Sequence, residues 1–347
     1  MADSSARYRR HASRRSLLLL IGVLACLACM LLDLVVGPGN YPLSQVIEVL
    51  FKPLSHGAQL KVVVWDLRLP VALTALVIGA MLGAAGAEMQ TILNNPLADP
   101  FTLGISSAAA FGAALAIVLG VELLPLWGNA LITANAFLFA LLTAWLLYLF
   151  TRLRGASSET MVLIGIALLF TFNALLGLLQ YAASDVELMQ IVFWMMGSLS
   201  RSDWDKLAIC LLVMALVVPF FMMRSWSLTA LRLGDERASS LGIDPKRLRV
   251  EVLIGVSLLA ATAVSFVGII GFVGLVGPHI ARLVVGEDQR FFLPMSMLSG
   301  ALMMSLTSLI SKSATPGVIY PVGIITSLIG IPFFISLVVT VRRRNWS

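Results

Sequence analysis

Side chains able to do bond chemistry are few and scattered. The three histidines, His11, His56 and His279, lie far apart in sequence and in sidedness. No H-E-x-x-H or G-x-S-x-G occurs, nor does a Walker A phosphate loop or a Rossmann glycine fingerprint. Cys26 and Cys29 form a C-x-x-C, but inside the first apolar run no charged neighbour stabilises a thiolate, so the pair reads as packing. An ion-coupled carrier would place ionisable groups in mid-span. Here the apolar segments hold little beyond Asp33 and Glu88, both near helix ends. These residues point away from catalysis and metal ligation. They suit a pathway lined by neutral groups that passes a bulky substrate by an externally powered route.

One stretch stands apart, Gly268 to Arg290, GIIGFVGLVGPHIARLVVGEDQR. Gly268, Gly271, Gly274 and Gly277, spaced by threes, allow close backbone approach, and Pro278 suits the first turn of a short helix. His279 and Arg282 would share a face of that helix. Such a helix, ending at Glu287, Asp288 and Arg290, reads as a broken span emerging at a membrane surface, and broken spans belong to pathways or moving parts.

Composition sets the elements that must carry these residues. The 347-residue chain is 59% hydrophobic and 12% charged, with mean hydropathy +0.96. That balance belongs to an all-α, polytopic membrane protein. Little soluble sequence remains, so any ATP-hydrolysing or ligand-capturing domain is expected on another chain. Segments of about 20 apolar residues fall near 16–36, 70–93, 102–121, 129–150, 158–182, 204–223, 248–269, 291–311 and 320–341. A short helix at 276–286 brings the expected total to about ten. Residues 1–15, with Arg7, Arg9, Arg10, Arg14 and Arg15, form a basic N-terminus ahead of a retained first span, residues 16–342 one transmembrane domain, and 343–347 a tail. With both ends cytoplasmic, eighteen basic residues fall inside and six outside, a firm positive-inside answer. The net charge of +6 is thus a topology signal and not a nucleic-acid signal.

The connecting segments carry further expectations. Pro38, Pro42 and Pro53 break a long outer loop from Gly37 to Leu69. Gly79, Gly83 and Gly86 make a small-residue face for tight helix packing. Glu88, near the inner end of that span, either is structural or lines a wet cavity. Asn94, Asn95 and Pro96 end the helix. Ser157 or Ser158 can cap the next, with Glu159 in its first turn. Residues 185–199 resemble a short helix lying on the outer side. The one sizeable inner loop, 225–246, is amphipathic, with Gly234 and Gly242 dividing it. It could lie on headgroups, but Asp235 and Glu236 in its middle favour docking of a cytoplasmic partner.

Taken together the motifs resemble the permease subunits of type II ABC importers for iron complexes and vitamin B12. The resemblance runs from about Leu17 to Arg342. It is carried by Arg68-Leu69-Pro70, by Gln90 with Asn95-Pro96-Leu97-Ala98-Asp99-Pro100, by Phe193-Trp194-Met195-Met196-Gly197-Ser198, by Leu233-Gly234 to Leu241-Gly242, by Pro278-His279 with Arg282, and by Pro321-Val322-Gly323 with Gly330-Ile331-Pro332-Phe333. It implies ten helices per subunit, an inverted repeat after the first helix of which the sequence shows no convincing trace, and a homodimer with the pathway on its two-fold axis. Two ATPase subunits would lie below and a periplasmic binding protein above, in the cell inner membrane. ATP and magnesium would sit on the ATPase, with no cofactor on this subunit. Residue by residue, Leu231, Gly234, Asp235, Glu236, Ala238, Leu241 and Gly242 match the ATPase coupling loop. Asn95, Leu97, Ser158 and Glu159 match the cytoplasmic gate, and Pro278, His279 and Arg282 the broken helix. Arg68 and Lys312 match residues that grip the binding protein, interfacial snorkelling being their other reading. Lys312 stands where a relative has Arg, Val71 where many have a second Arg, and Gln289 where His is common. Family breadth favours an iron complex, ferric siderophore or haem, over cobalamin as cargo.

Overall fold

A computed structural model describes residues 2–344 except 38, 40, 56, 122–130, 155–156 and 316, with side chains described for 12–336. The described residues are helical apart from loops and one isolated bridge between Thr315 and Val318. His56 and the tail 345–347 lie outside the described residues, and the His11 side chain lies outside the described side chains.

Helix boundaries follow the apolar runs closely. They are α1 (Ala2–Val35), α4 (Leu69–Ile92), α5 (Ile105–Leu119), α6 (Leu131–Arg154), α7 (Ser158–Ala182), α9 (Trp204–Met223), α12 (Pro245–Val267), α13 (Val273–Val285), α14 (Gln289–Ser313) and α15 (Val322–Arg344). Among the described residues, seven helices are long and apolar enough to cross a membrane, and α5, α13 and α15 supply shorter apolar segments, consistent with the ten expected. The first outer loop is less open than expected. It contains α2 (Leu43–Phe51) and α3 (Ala58–Lys61), and α3 continues through a wide turn, Val62–Arg68, into α4. Pro38 lies outside the described residues; of Pro42 and Pro53, Pro42 borders a helix directly, as the residue before α2. A proline there costs no hydrogen bond because the first N–H groups of a helix have no internal acceptor.

The core is built from helices with no polar face. α4 and α12 are mostly buried, whereas α1, α7 and α9 expose most of their length. α4 packs by closeness, not bulk. A Cβ on Gly79 would collide with the Gly300 carbonyl, on Gly83 with that of Ser296, and on Gly86 with that of Gly274. Two helices, α14 and α13, therefore rest backbone to backbone on one glycine stripe, the close contact expected where lipid offers no hydrophobic drive between helices. Cys26 and Cys29 are reduced and buried where α1 meets α14, and Cys26 Sγ lies 3.5 Å from the Leu298 carbonyl.

Between α7 and α9 lies α8 (Asp185–Met195), the expected outer helix, opened by a capping box in which Ser184 and Glu187 satisfy each other's backbone N–H. Trp194 is buried and Phe193 exposed. The loop after α9 folds into α10 (Ser225–Leu231) and α11 (Asp235–Ser240). Its two glycines take left-handed φ values of 99° and 80°, which side-chain-bearing residues seldom adopt.

Candidate functional site: two charged clusters at opposite ends of the bundle

The first cluster surrounds α10 and α11, on the face with most of the basic residues. Leu228, Leu231 and Ala238 are buried and fix the loop to the bundle, while Leu233 and Leu241 are about half exposed beside exposed Glu236. The amphipathic reading of this loop holds for those residues. Asp235 departs from it. Both its oxygens accept from Arg249, at 2.7 and 2.6 Å. That bidentate bond holds the Asp235 carboxyl below the usual carboxylate range. Arg249 Nε also donates to the Ile92 carbonyl, 2.8 Å away, in the last turn of α4. Asp235 thus ties α11 to the bundle, and Glu236 is the acidic group facing outward.

Next to this pair, Arg232 at the end of α10 and Arg282 on α13 meet one oxygen of Glu287, at 2.7 and 3.0 Å. Both guanidinium groups lie over the Phe292 ring, 5.3 and 5.4 Å from its centre. Burial pushes the Arg232 guanidinium below its ordinary value, and Glu287 and Glu88 oppose that push. Arg282 donates to Gln90 Oε1 at 2.9 Å, and Gln90 Nε2 reaches the Gly274 carbonyl at 3.4 Å. That carbonyl has lost its helical donor because residue 278, four positions on, is proline.

Pro278 is therefore inside α13 and not in its first turn as expected. The helix begins at Val273, because its early glycines must lie against α4 and α14. Gly277 would bring a Cβ within 3.1 Å of Gly300 N, but Gly271 faces open space. Although His279 and Arg282 are three apart, they serve different neighbours. The His279 ring stands edge-on to Phe333 of α15 with centres 5.6 Å apart. Glu88 is completely buried, so within one subunit it does not line a wet cavity. Gln289 Nε2 lies 3.4 Å from Glu88 Oε2 and 2.7 Å from Thr91 Oγ1.

The turn after α4 is closed locally. Asn95 Oδ1 accepts from Leu97 N at 3.0 Å, and Asn94 adopts φ 46°. Leu97 is exposed. Asp99 accepts from Phe101 N at 2.9 Å, and burial pushes its carboxyl up to about 6 against that bond. At the start of α7, Ser157 is the cap, accepting from Thr160 N, and Ser158 is the first helical residue. Glu159 follows it, exposed.

The second cluster lies at the other end, around Arg68 and Lys312. Both are largely buried. Arg68 donates to the Leu34 and Val35 carbonyls at 2.7 and 2.9 Å, capping α1, and lies over Tyr41. Lys312 pairs at 2.7 Å with Asp33, which is fully buried and also accepts from Ser308. A cavity of about 360 Å³ opens here, lined by Val36, Val71, Ser198, Ser311 and Tyr320 together with the two cations. Sequence reasoning misses the partners: Asp33 reads there only as a charge near a helix end, and Arg249 is one of the eighteen inner basic residues. Each sits in an apolar stretch where an unpaired charge would be costly, which was the available signal. No group of His, Cys, Asp or Glu suited to a metal ion occurs among the described residues.

A ten-segment helical bundle with a broken helix, a glycine-stacked core and a folded helical loop on one face is the architecture of a type II ABC importer permease. The chain belongs to the FecCD transport family, whose model matches residues 24–340. It is 37% identical to an iron chelatin transport system permease protein of Helicobacter pylori, covering 91% of this chain and 97% of that one. It is 36% identical to the molybdate import system permease protein MolB of Haemophilus influenzae, over 88% and 91% of the two chains. It is 34% identical to the vitamin B12 import system permease protein BtuC of Vibrio cholerae, over 96% of each. A solved inward-facing structure of a metal-chelate type ABC transporter matches with TM-score 0.80 and 33% identity, covering 93% of this chain and 99% of that one.

Proposed function

We propose that this chain is the membrane-spanning subunit of an ATP-driven importer that moves an iron complex, a ferric siderophore or haem, from periplasm to cytoplasm along the axis of a homodimer. Partner ATPase subunits carry ATP and magnesium and do the hydrolysis, and a periplasmic binding protein delivers the cargo. The inner membrane is the site, with both termini in the cytoplasm. The observation that carries this reading is the α10–α11 loop. It is anchored by buried Leu228, Leu231 and Ala238 and offers Leu233, Glu236 and Leu241 outward. A helical knob of that kind suits a cleft in a rigid partner and gives the partner a lever on the bundle. Nucleotide acts on the permease only if it favours one permease state over another.

Asn95, Leu97, Ser158 and Glu159 form the cytoplasmic gate in this reading. Pro278, His279 and Arg282 belong to the broken helix beside it. On the outer face, Arg68 and Lys312 bind the delivery protein, whose carboxylates would share or replace the Asp33 contact. The cargo rests on relatives named for iron chelatin and metal chelates, and that of BtuC supports cobalamin as the second reading. MolB adds an oxyanion to the cargoes such permeases handle.

The test is ATP hydrolysis by the reconstituted complex with its binding protein, challenged separately with haem, a ferric siderophore, cobalamin and molybdate. Stimulation by haem or a siderophore alone is the expected result. A response to cobalamin or molybdate alone would replace the cargo, and hydrolysis indifferent to all four, with uptake driven by an ion gradient, would overturn the importer reading.

A further inference from the structure

Arg249 joins elements far apart in sequence. Its fork grips Asp235 on α11 through two bonds, and its Nε holds the Ile92 carbonyl two residues before the Asn94–Asn95 turn. The side chain is almost wholly buried, although Asp235 is half exposed. An arginine sunk in a helix end for structure alone needs acceptors, but not acceptors on both the α10–α11 loop and the end of α4.

We infer that Arg249 is a positioning residue that carries movement of α11 to the turn at Asn95. This rests on the proposal that α10–α11 is the ATPase contact and that turn part of the gate. The physical basis is stiffness. A planar bidentate pair resists both stretch and rotation, and Ile92 O is one of the last-turn carbonyls of α4 that lack a helical donor. Displacing α11 therefore pulls on the end of α4 through one rigid group. Lysine would keep the charge and lose the fork.

The complex of permease and ATPase carrying Leu97→Cys tests this. Leu97 is exposed and the native cysteines are buried, so a membrane-impermeant maleimide reads one thiol. Labelling is measured with and without a non-hydrolysable ATP analogue. The expected result is a nucleotide-dependent change in labelling rate that shrinks about fivefold or more when Arg249→Lys is added, with the ATPase still bound. Asp235→Asn, which alters the half-exposed end of the same clamp, should shrink it too and decides the matter if the Arg249 variant does not fold. An undiminished response in Asp235→Asn overturns the inference alone. Loss of the ATPase from that variant, while the Leu97→Cys parent retains it, would make the pair part of the docking surface and also overturn it. A parent that binds no ATPase overturns the coupling reading itself.

Discussion

At the scale of single residues, several buried charges are met by an opposite one: Asp33 and Lys312 meet each other, Asp235 meets buried Arg249, and Glu287 meets the largely buried Arg232 and Arg282. Asp99 is the informative contrast, because its carboxyl is buried with a backbone N–H and no cation. Its pKa in the fold, about 6, lies above the ordinary 3.8. A raised carboxyl favours the protonated native state, so its stabilising contribution is complete below about pH 4 and lost as pH rises through about 6. Asp99→Asn keeps the cap and removes the charge. Thermal unfolding in detergent should therefore show the variant ahead of the parent at pH 7, by up to about 3 kcal/mol, and level with it near pH 4. A gap that does not change with pH would mean that Asp99 is not the titrating group. The pairing logic also marks the limit of what sequence shows. That Arg249 is a charge at the edge of an apolar span is legible, but its acceptors lie 14 and 157 residues away, and only the fold brings them together.

At the scale of elements, most helices could be read directly, because apolar length and caps are local properties. α7 and α9 have the boundaries expected from their runs. α13 began earlier than Pro278 suggested, since its start is set by glycine contacts with α4 and α14, which are not local. The helices inside the first outer loop are not legible because proline marks a break and a helix start alike, and Pro42 precedes α2. The glycine stripe makes a sharp prediction here. Gly300→Ala pushes a Cβ into the Gly79 carbonyl, a backbone group with nowhere to go. Overpacking of this kind should cost about 3 kcal/mol or more. Gly177, on α7, has nothing within 4 Å of where its Cβ would be. In the detergent-solubilised single subunit, where nothing opposes that Cβ, Gly177→Ala should be neutral or raise stability by about 1 kcal/mol. Thermal melts of the two variants side by side would measure the difference, and equal melts would remove backbone packing as the principle of this core.

For the whole molecule, the unanswered physical demand is on α7. Counting from Ser158, Asn173 lies about 22 Å along the helix, well inside the span, and it is exposed, with Gly177 exposed one turn on along the same face. A carboxamide facing hydrocarbon is unfavourable, whereas small and polar residues one turn apart make good helix–helix contacts. Leu163, Ile166 and Phe170 continue the exposed surface. In the proposed homodimer a two-fold partner would satisfy this face, either by packing on it or by enclosing water along the axis. Both outcomes place the two copies of α7 near each other, as the proposed homodimer requires. Because the native cysteines are buried, Gly177→Cys gives one reactive thiol in a site with room for it. Mild oxidation in membranes should convert most of the chain to a disulfide-linked dimer, while Leu212→Cys on the exposed face of α9 should stay monomeric. The reverse pattern would move the two-fold axis to α9, and Asn173 would then face lipid with its amide unmet.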